Sequence, residues 1–135
     1  MTFPALENAY QAAEYAGETW TEVFGQFAQM TPVKAKRKGG KLSLREDWDK
    51  IKLEVMEKLL HIKFSDPYLR YLLMVTDERE LVEGNHWHNN FRGRCSCEKC
   101  DKKWLNHRGK LLMKLRTDII LDALSNFIGK NAYKM

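Results

Sequence analysis

The stretch that decides the fold runs from Ser43 to Lys63 and reads SLREDWDKIKLEVMEKLLHIK. Ser43 followed by Glu46 matches a capping box, which is typical of a helix start. Beyond it, apolar side chains recur at the spacing of one helix face, namely Trp48, Ile51, Val55, Leu59 and Ile62. The stretch therefore predicts a long amphipathic helix that begins near Ser43.

Two shorter helices are predicted before it. Pro4 suits the first turn of a helix whose apolar residues are Leu6, Ala9, Tyr10 and Ala13, with Gly17 as the stop. A second pattern, Trp20, Val23, Phe24 and Phe27, ends before Thr31 and Pro32. Between Lys34 and Lys41, five cations surround the pair Gly39 and Gly40, which indicates a mobile basic loop.

Two further helices follow. Ser65, Asp66 and Pro67 end the long helix and start another that continues to about Thr76 with Leu69, Leu72 and Leu73 towards the core. The last helix is capped by Asn106 and ends near Gly129, with a regular apolar face made of Leu112, Leu115, Ile119, Ala123 and Phe127. The pattern indicates a mainly helical fold.

The segment between these two helices is different in character. Leu81 and Val82 predict a short strand, whereas residues 84–103 are polar, rich in His, Asn and Cys, and without periodicity. Long loops of this kind often carry function. The fold class is therefore mainly α with minor short β strands (α+β), and we expect one domain over residues 1–135.

Composition limits the class of protein and its partners. The chain has 135 residues, 44% of them hydrophobic, enough for one sizeable core, and its net charge of +5 favours anionic partners. No apolar run approaches the roughly 18 to 20 residues that span a bilayer, and no basic segment followed by an apolar one begins the chain. These features predict a cytoplasmic protein with no membrane partner and leave its oligomeric state open.

The three cysteines, Cys95, Cys97 and Cys100, form an odd and crowded set rather than a disulfide framework. Together with a nearby histidine they match the ligands of a tetrahedral structural zinc site, and we take His107 as the fourth ligand. His86 and His88, which are also near in sequence, are the alternative fourth ligands. Because only one pair of cysteines has the two-residue separation typical of zinc sites, free thiols are the alternative.

Several separated stretches, read in order, resemble the NADAR (YbiA-like) family. They are FPALENAYQA (residues 3–12), LREDW (44–48), VM (55–56), KF (63–64) and NHRGKLLM (106–113) with Arg116. The resemblance implies a compact single-domain YbiA-like fold and an N-glycosidase, a hydrolase that cleaves the bond between a ribose and a base-like nitrogen. It implies as substrate a small phosphorylated nucleotide-like metabolite, such as a riboflavin-pathway intermediate or an ADP-ribose or NAD-related conjugate. It calls for no cofactor, and nucleic acid enters only as an ADP-ribosylated substrate.

The resemblance also assigns residue roles. Glu7 matches the family's acidic position and is the expected catalytic carboxylate, since the reaction passes through an oxocarbenium-like sugar. Substrate-binding roles are expected for residues of the first helix, the basic loop, the LREDW motif and the later loop: Asn8, Tyr10, Gln11, Lys36, Arg37, Arg45, Trp87, Arg92 and Asn106. Trp48 is expected in the core. The family often has an arginine where this chain has Gly40, so one phosphate-binding cation is replaced.

Departures from the family pattern gather in the polar loop. Where members show Trp-x-Asp-x-x-Trp-Gly, this chain has Asn89 in place of the acid and Arg92 in place of the aromatic residue. If the acid shares in proton transfer, Asn89 occupies a catalytic position without a base, and turnover falls. The alternative function is a catalytically weakened domain that sequesters ADP-ribose-type nucleotides, and a third is a zinc-stabilised nucleic-acid-binding module.

Members also carry an aromatic Ser-Asn-Phe segment ahead of the Phe-Pro stretch, at which this chain starts. We expect either an upstream segment or an incomplete pocket wall.

Overall fold

The chain is mainly helical. In a computed structural model, residues 3–15, 20–100 and 103–131 are described, apart from the side chains of residues 20 and 21. Within these ranges lie α1 (Leu6–Ala13), α2 (Trp20–Ala28), α3 (Pro32–Gly39), α4 (Trp48–Lys63), α5 (Pro67–Met74) and α6 (His107–Asn131). Strands β1 (Gly84–Asn85) and β2 (Arg94–Cys95) pair in parallel, with Gly84 opposite Arg94. The predicted fold class is confirmed, and Gly17, the predicted stop of the first helix, lies outside the described residues.

None of the described helices combines the length and the apolar character needed to cross a membrane. The described chain forms two compact units, Met1–Lys63 and Phe64–Met135. The single domain over residues 1–135 stays a prediction.

The first unit is built around α1, which packs against α2, α3 and α4. Its core consists of buried apolar side chains with partly buried ones around them: Ala12, Val23, Phe27 and Ala35, then Phe3, Tyr15, Phe24, Met30 and Leu42. Tyr10 packs edge-on against Trp48 with ring centroids 5.1 Å apart, which joins α1 to α4. Trp48 is 5% exposed, so its predicted place in the core is confirmed.

A buried amide reinforces this packing. Asn8 is fully buried, and its Nδ2 donates to the carbonyl oxygens of Phe27 at 2.8 Å and Met30 at 2.7 Å. Both carbonyls lie where α2 ends, where the last carbonyls of a helix lack their usual donors, and the Phe27 carbonyl also accepts the Met30 N–H at 3.3 Å. Asn8 therefore fastens α1 to the end of α2.

The predicted basic loop is wrong, because residues 32–39 form α3. Thr31 is the N-cap, its Oγ1 accepting the backbone N–H of Lys34 at 3.4 Å, and Pro32 occupies the first turn. Ala35 is fully buried and anchors the helix to the core. Lysine and arginine are good helix formers, so a run of cations is compatible with a helix that has one buried face.

The predicted start of the long helix is also early. α4 begins at Trp48, not near Ser43. The preceding residues are held elsewhere, since Leu44 forms an isolated antiparallel bridge with Tyr15 and the Arg45 N–H donates to the Glu14 carbonyl at 3.0 Å. This pairing keeps Ser43 from capping the helix.

In the second unit, α5 packs against α6. Asp66 caps α5 as predicted, its Oδ1 accepting the Leu69 N–H at 3.0 Å. Arg116 of α6 is 7% exposed, and its Nη1 donates to Thr76 Oγ1 at 2.8 Å and to the Arg79 carbonyl at 2.9 Å. This family-matched cation thus fixes the segment that follows α5.

Two details of the second unit differ from expectation. Leu81 and Val82 are not a strand; the two short strands lie at Gly84–Asn85 and Arg94–Cys95. The side chain of Asn106 does not cap α6. The backbone φ of Asn106 is 49°, and its side chain bonds to residues 81 and 83 instead. Its Oδ1 accepts the Glu83 N–H at 3.1 Å, and its Nδ2 donates to the Leu81 carbonyl at 2.9 Å. The amide ties the start of α6 to the segment that was expected to form a strand.

Gly109 allows this close approach. A Cβ at this position would overlap the carbonyl oxygen of Leu81 and lie 2.6 Å from Oδ1 of Asn106. A side chain here would push α6 away from residues 81–83.

Candidate functional site

The candidate catalytic carboxylate, Glu7, lies in the first unit. Glu7 is in the first turn of α1 and half-buried, and its Oε1 accepts a hydrogen bond from Gln11 Nε2 at 2.8 Å. Gln11 is 6% exposed. Because the two residues are one helical turn apart, the amide holds the carboxylate in one orientation.

Gln11 in turn packs against the end of α3. A Cβ on Gly39 would overlap Gln11 Oε1 and lie 2.8 Å from Gln11 Cδ, so only glycine allows this approach. The structure therefore brings the predicted residues Glu7 and Gln11 together with the backbone of Gly39, at the cation-rich end of α3.

The cations of α3 differ in their surroundings. Lys36 and Arg37 are exposed, whereas Lys38 is half-buried, donates to Gln26 Oε1 and lies 5.8 Å from the centroid of the Phe27 ring. Exposed ammonium and guanidinium groups are suited to bind an anion.

Arg45 lies in the first unit and is held by its own neighbour. Its Nε and Nη2 donate to the two carboxylate oxygens of Asp47 at 2.6 and 3.0 Å. This hydrogen-bonded guanidinium lowers the pKa of Asp47 below its ordinary value. For Arg45 to bind phosphate, the anion has to compete with Asp47.

A cleft of about 540 Å³ in the first unit lies on another side of α1. Its lining is mainly apolar with one cation: Phe3, Pro4, Ala5, Leu6, Ala9, Leu59, Ile62 and Lys63. Glu7 is not among these residues. The hydrogen-bonded carboxylate and this cleft are therefore separate features of the same unit.

Two predicted substrate contacts have structural roles. Asn8 donates both bonds described above to backbone carbonyls, and Tyr10 is 2% exposed and packs on Trp48. Both residues were predicted as substrate contacts from their place in the family motif. A motif match does not distinguish residues that line a pocket from residues in the core beneath it. Their binding roles remain predictions.

In the second unit, the polar loop is organised by amide side chains. Asn85 is 5% exposed; its Oδ1 accepts the Asn89 N–H at 3.1 Å, and its Nδ2 donates to the Asn89 carbonyl at 2.8 Å. Asn89 Oδ1 then accepts the Arg92 N–H at 2.9 Å. The aspartate that the family pattern predicts here could accept this last bond equally well, so Asn89 can form the same turn, although its amide cannot act as a base.

The other predicted loop residues are divided between surface and interior. Trp87 is 48% exposed, with its ring 5.0 Å from that of His86. Arg92 is 8% exposed, and its carbonyl accepts the Arg108 N–H at 2.9 Å. Asn106 is 6% exposed and engaged as described above. Only Trp87 of these three presents a large exposed surface to a ligand.

The loop also brings together four side chains of types that bind metal ions. The ligand atoms of His88, Cys95, Cys97 and Cys100 all lie within 4.8 Å of one another. The predicted fourth ligand, His107, is wrong: the histidine of the cluster is His88, whereas His107 packs its ring 4.6 Å from Phe91. His88 has a φ of 65°, a left-handed conformation that sequence spacing does not reveal.

Cys95 and Cys100 differ in their hydrogen bonds and therefore in the pKa of their thiols. Burial raises the pKa of Cys95, but the N–H groups and neighbouring thiols that bond its sulfur outweigh burial and lower the pKa to about 7. For Cys100, the bond from Asn90 lowers the pKa, but Cys97, burial and Cys95 together raise it to about 11. These contacts favour the thiolate form at Cys95 and the thiol form at Cys100.

Comparisons with known proteins agree with this architecture. The NADAR domain family model matches residues 1–120. Escherichia coli N-glycosidase YbiA is 31% identical over 128 residues, covering 90% of this chain and 73% of that protein. An N-glycosidase of Nostoc punctiforme is 33% identical over 118 residues, covering 84% of this chain and 72% of that protein. The riboflavin biosynthesis protein PYRR of Zea mays is 29% identical over 88% of this chain and 20% of its own length.

The fold is similar as well. The NMR structure of E. coli YbiA matches with a TM-score of 0.76 at 29% identity, covering 90% of this chain and 70% of that one. This helical chain belongs to the NADAR domain family. Its relatives include N-glycosidases, and the prediction of an enzyme of the glycosidase class is confirmed.

Proposed function

We propose that this enzyme hydrolyses the N-glycosidic bond of a ribosylated, phosphate-bearing, nucleotide-like metabolite, with Glu7 as its catalytic carboxylate. The observation that carries the proposal is the 2.8 Å hydrogen bond from Gln11 to Glu7, next to the cation-rich end of α3. A half-buried carboxylate in a fixed orientation can stabilise positive charge that develops on a sugar.

The chemistry follows from that placement. As the bond between the anomeric carbon and the base nitrogen breaks, its electron pair leaves with the nitrogen and the ribose becomes oxocarbenium-like. Glu7 stabilises this charge and orients a water molecule. The water oxygen bonds to the anomeric carbon, and the proton that it releases ends on the departing base. No cofactor takes part in this step.

The substrate class is supported by charge and by the relatives. Lys36 and Arg37 are exposed at the same end of α3 whose Gly39 contacts Gln11, and exposed cations favour a phosphate group. Riboflavin biosynthesis in the name of the maize relative supports a phosphoribosylated intermediate, with ADP-ribose or NAD-related conjugates as the second class. Arg45, Trp87 and Arg92 remain proposed contacts, and the cytoplasm is the expected compartment.

The first test compares Glu7→Gln with the wild type. Purified protein is incubated with phosphoribosylaminouracil intermediates, NAD and ADP-ribosylated guanine, and the released base is measured by chromatography. Removing the carboxylate should reduce turnover by about 100-fold or more. Glu22→Gln is the matched control, because Glu22 is an exposed first-turn glutamate of α2 and should leave turnover unchanged.

Two outcomes would contradict the proposal. Equal turnover by Glu7→Gln and the wild type would show that another group supplies the carboxylate. Tight nucleotide binding by calorimetry without release of any base would replace hydrolysis by the alternative function, sequestration of ADP-ribose-type nucleotides.

The phosphate-binding role has its own test. Replacing Lys36 or Arg37 by alanine should raise KM for a phosphorylated substrate about 5- to 10-fold and change kcat little, as expected when ground-state and transition-state binding are lost equally. Lys34→Ala is the control, because Lys34 is exposed in the first turn of the same helix. An equal effect of all three variants would indicate general electrostatic attraction, without a phosphate site at this helix end.

A further inference from the structure

We infer that His88, Cys95, Cys97 and Cys100 form a structural Zn²⁺ site, independent of the glycosidase reaction. Their ligand atoms lie within 4.8 Å of one another, with His88 Nδ1 at 3.1 Å from Cys97 Sγ and 3.5 Å from Cys100 Sγ. Ligands around a tetrahedral zinc ion, at about 2.3 Å for sulfur and about 2.0 Å for nitrogen, are separated by roughly 3.5 to 3.8 Å. The two distances from His88 Nδ1 are close to this separation, and every other pair of ligand atoms lies within 4.8 Å, so a small adjustment would close the four side chains around the metal.

The surroundings of the sulfur atoms support metal binding. Cys95 Sγ accepts the backbone N–H groups of His88 at 3.3 Å and Cys97 at 3.5 Å, and Cys100 Sγ accepts from Asn90 Nδ2 at 3.2 Å. Donors aimed at sulfur stabilise thiolates, which are the form that binds zinc, and hydrogen bonds to the ligand atoms hold the ligands in position.

The backbone at His88 has an uncommon conformation. A φ of 65° is uncommon for a residue with a side chain, and histidine is one of the few types enriched there. At His88 this conformation accompanies an imidazole that faces three thiols. Uncommon backbone conformations often mark sites where a side chain must be aimed at a ligand.

Donor chemistry selects the ion and its role. Three thiolates and one imidazole are a closed donor set typical of structural zinc, in which no coordination position is left for a substrate. The loop that supplies them has two strands of two residues each and is held mainly by amide side chains. A metal bound to residues before, within and after β2 would fix this irregular segment, as metals do in small structures with little core.

Metal analysis of the purified chain tests the inference without an activity assay. Protein exchanged into a zinc-containing buffer and then desalted should carry stoichiometric zinc by mass spectrometry. Cobalt substitution should produce the visible absorption of a tetrahedral thiolate complex. Zinc-free protein that takes up neither metal would overturn the inference, and loss of free thiols with a mass decrease of two hydrogens would assign the cluster to a disulfide.

Histidine variants provide the sharpest comparison. His88→Ala should lose bound zinc, whereas His86→Ala and His107→Ala should retain it, because neither residue belongs to the cluster. His88→Cys should keep zinc in a four-cysteine site, which remains informative if His88→Ala fails to fold. Zinc retention by His88→Ala together with loss in His107→Ala would refute the assignment of the fourth ligand.

The hydrogen bond from Asn90 to Cys100 can be tested through the affinity for zinc. Asn90→Ala removes the amide that donates to Cys100 Sγ and should weaken zinc affinity by about 10- to 100-fold, measured by competition with a chelator. Glu98→Ala is the control, because Glu98 is exposed within the same segment and outside the cluster. Equal affinity in both variants would show that the amide contact does not support a metal-bound thiolate.

Discussion

Gly39→Ala tests the contact that connects the candidate catalytic carboxylate to α3. The added Cβ would overlap Gln11 Oε1 and lie 2.8 Å from Gln11 Cδ, so the amide must move and its bond to Glu7 must break. Overpacking of this kind costs about 1 to 3 kcal/mol, and losing the hydrogen bond costs about 1 kcal/mol more. Alanine regains about 0.5 to 1 kcal/mol of helix propensity, which leaves a net destabilisation of about 2 kcal/mol.

The adjacent residue provides the control. A Cβ on Gly40 meets only backbone oxygens, at 3.7 and 3.9 Å, and Gly40 has a φ of −64° that alanine adopts freely. Gly40→Ala should therefore be neutral or stabilise the chain by about 0.4 to 1 kcal/mol. Urea unfolding followed by circular dichroism measures both variants, and turnover of the preferred substrate should fall only in Gly39→Ala.

A double variant isolates the contact. Gln11→Ala removes the atoms that the new methyl group would strike, so combining it with Gly39→Ala should cost about 1 to 2 kcal/mol less than the sum of the two single changes. If the variants at residues 39 and 40 unfold at the same urea concentration, or if the double variant is strictly additive, the close approach of α3 to Gln11 is refuted.

Three further predictions concern stability and titration. Asn8→Ala should destabilise the chain by about 1 to 3 kcal/mol in urea unfolding, because the carbonyls of Phe27 and Met30 lose the Asn8 amide as a donor; a change below 1 kcal/mol would contradict this. Gly109→Ala should lower the thermal midpoint of unfolding, because the added Cβ would overlap a backbone oxygen. Gly129→Ala should raise the midpoint, because a Cβ there meets nothing within 4 Å and alanine favours the helix. Equal shifts of the midpoint in both variants would contradict the tight packing of α6 at Gly109. Arg45→Gln removes the guanidinium and should raise the pKa of Asp47 towards 3.8, as measured by NMR titration. In the wild type, the stabilisation from this ion pair is fully present above pH 3.8 and is lost as the pH falls through the lowered pKa of Asp47. An unchanged pKa of Asp47 in the variant would refute Arg45 as the cause of the shift.

Helix periodicity and caps located most of the helical architecture. The apolar patterns of α2 and α5 correspond to the observed helices, and the Asp66 cap bonds as its sequence position indicates. Such local signals work because they depend on residues within one or two turns of each other. They fail where a distant partner competes, as at Ser43, where bridging of Leu44 to Tyr15 delays the start of α4.

The error over α3 has a similar physical origin. Five cations and two glycines suggest a loop when the segment is considered by itself. The start signal Thr31-Pro32 and the two buried residues, Ala35 and Gly39, outweigh that composition. One buried apolar side chain and one buried glycine on a short helix leave no periodicity to detect, so this helix could be found only with its packing partner known.

The candidate sites were predictable in unequal measure. Family motifs pointed to Glu7 and Gln11, and the structure places them in contact. The three cysteines were evident from spacing, but the choice of histidine depended on a backbone turn at His88 that no short-range rule supplies. The loop amides, such as Asn85 and Asn90, were missed as organisers because side chains that bond to backbone leave no periodic trace.

The position of α1 has a consequence for how the chain tolerates change. Five consecutive residues of this helix, 8 to 12, are buried, since α2, α3 and α4 cover it on several sides. A surface helix shows tolerant and intolerant positions that alternate with its turns. In a complete substitution scan, residues 8 to 12 should instead form one uninterrupted intolerant block, and variation between natural homologues should be concentrated outside it.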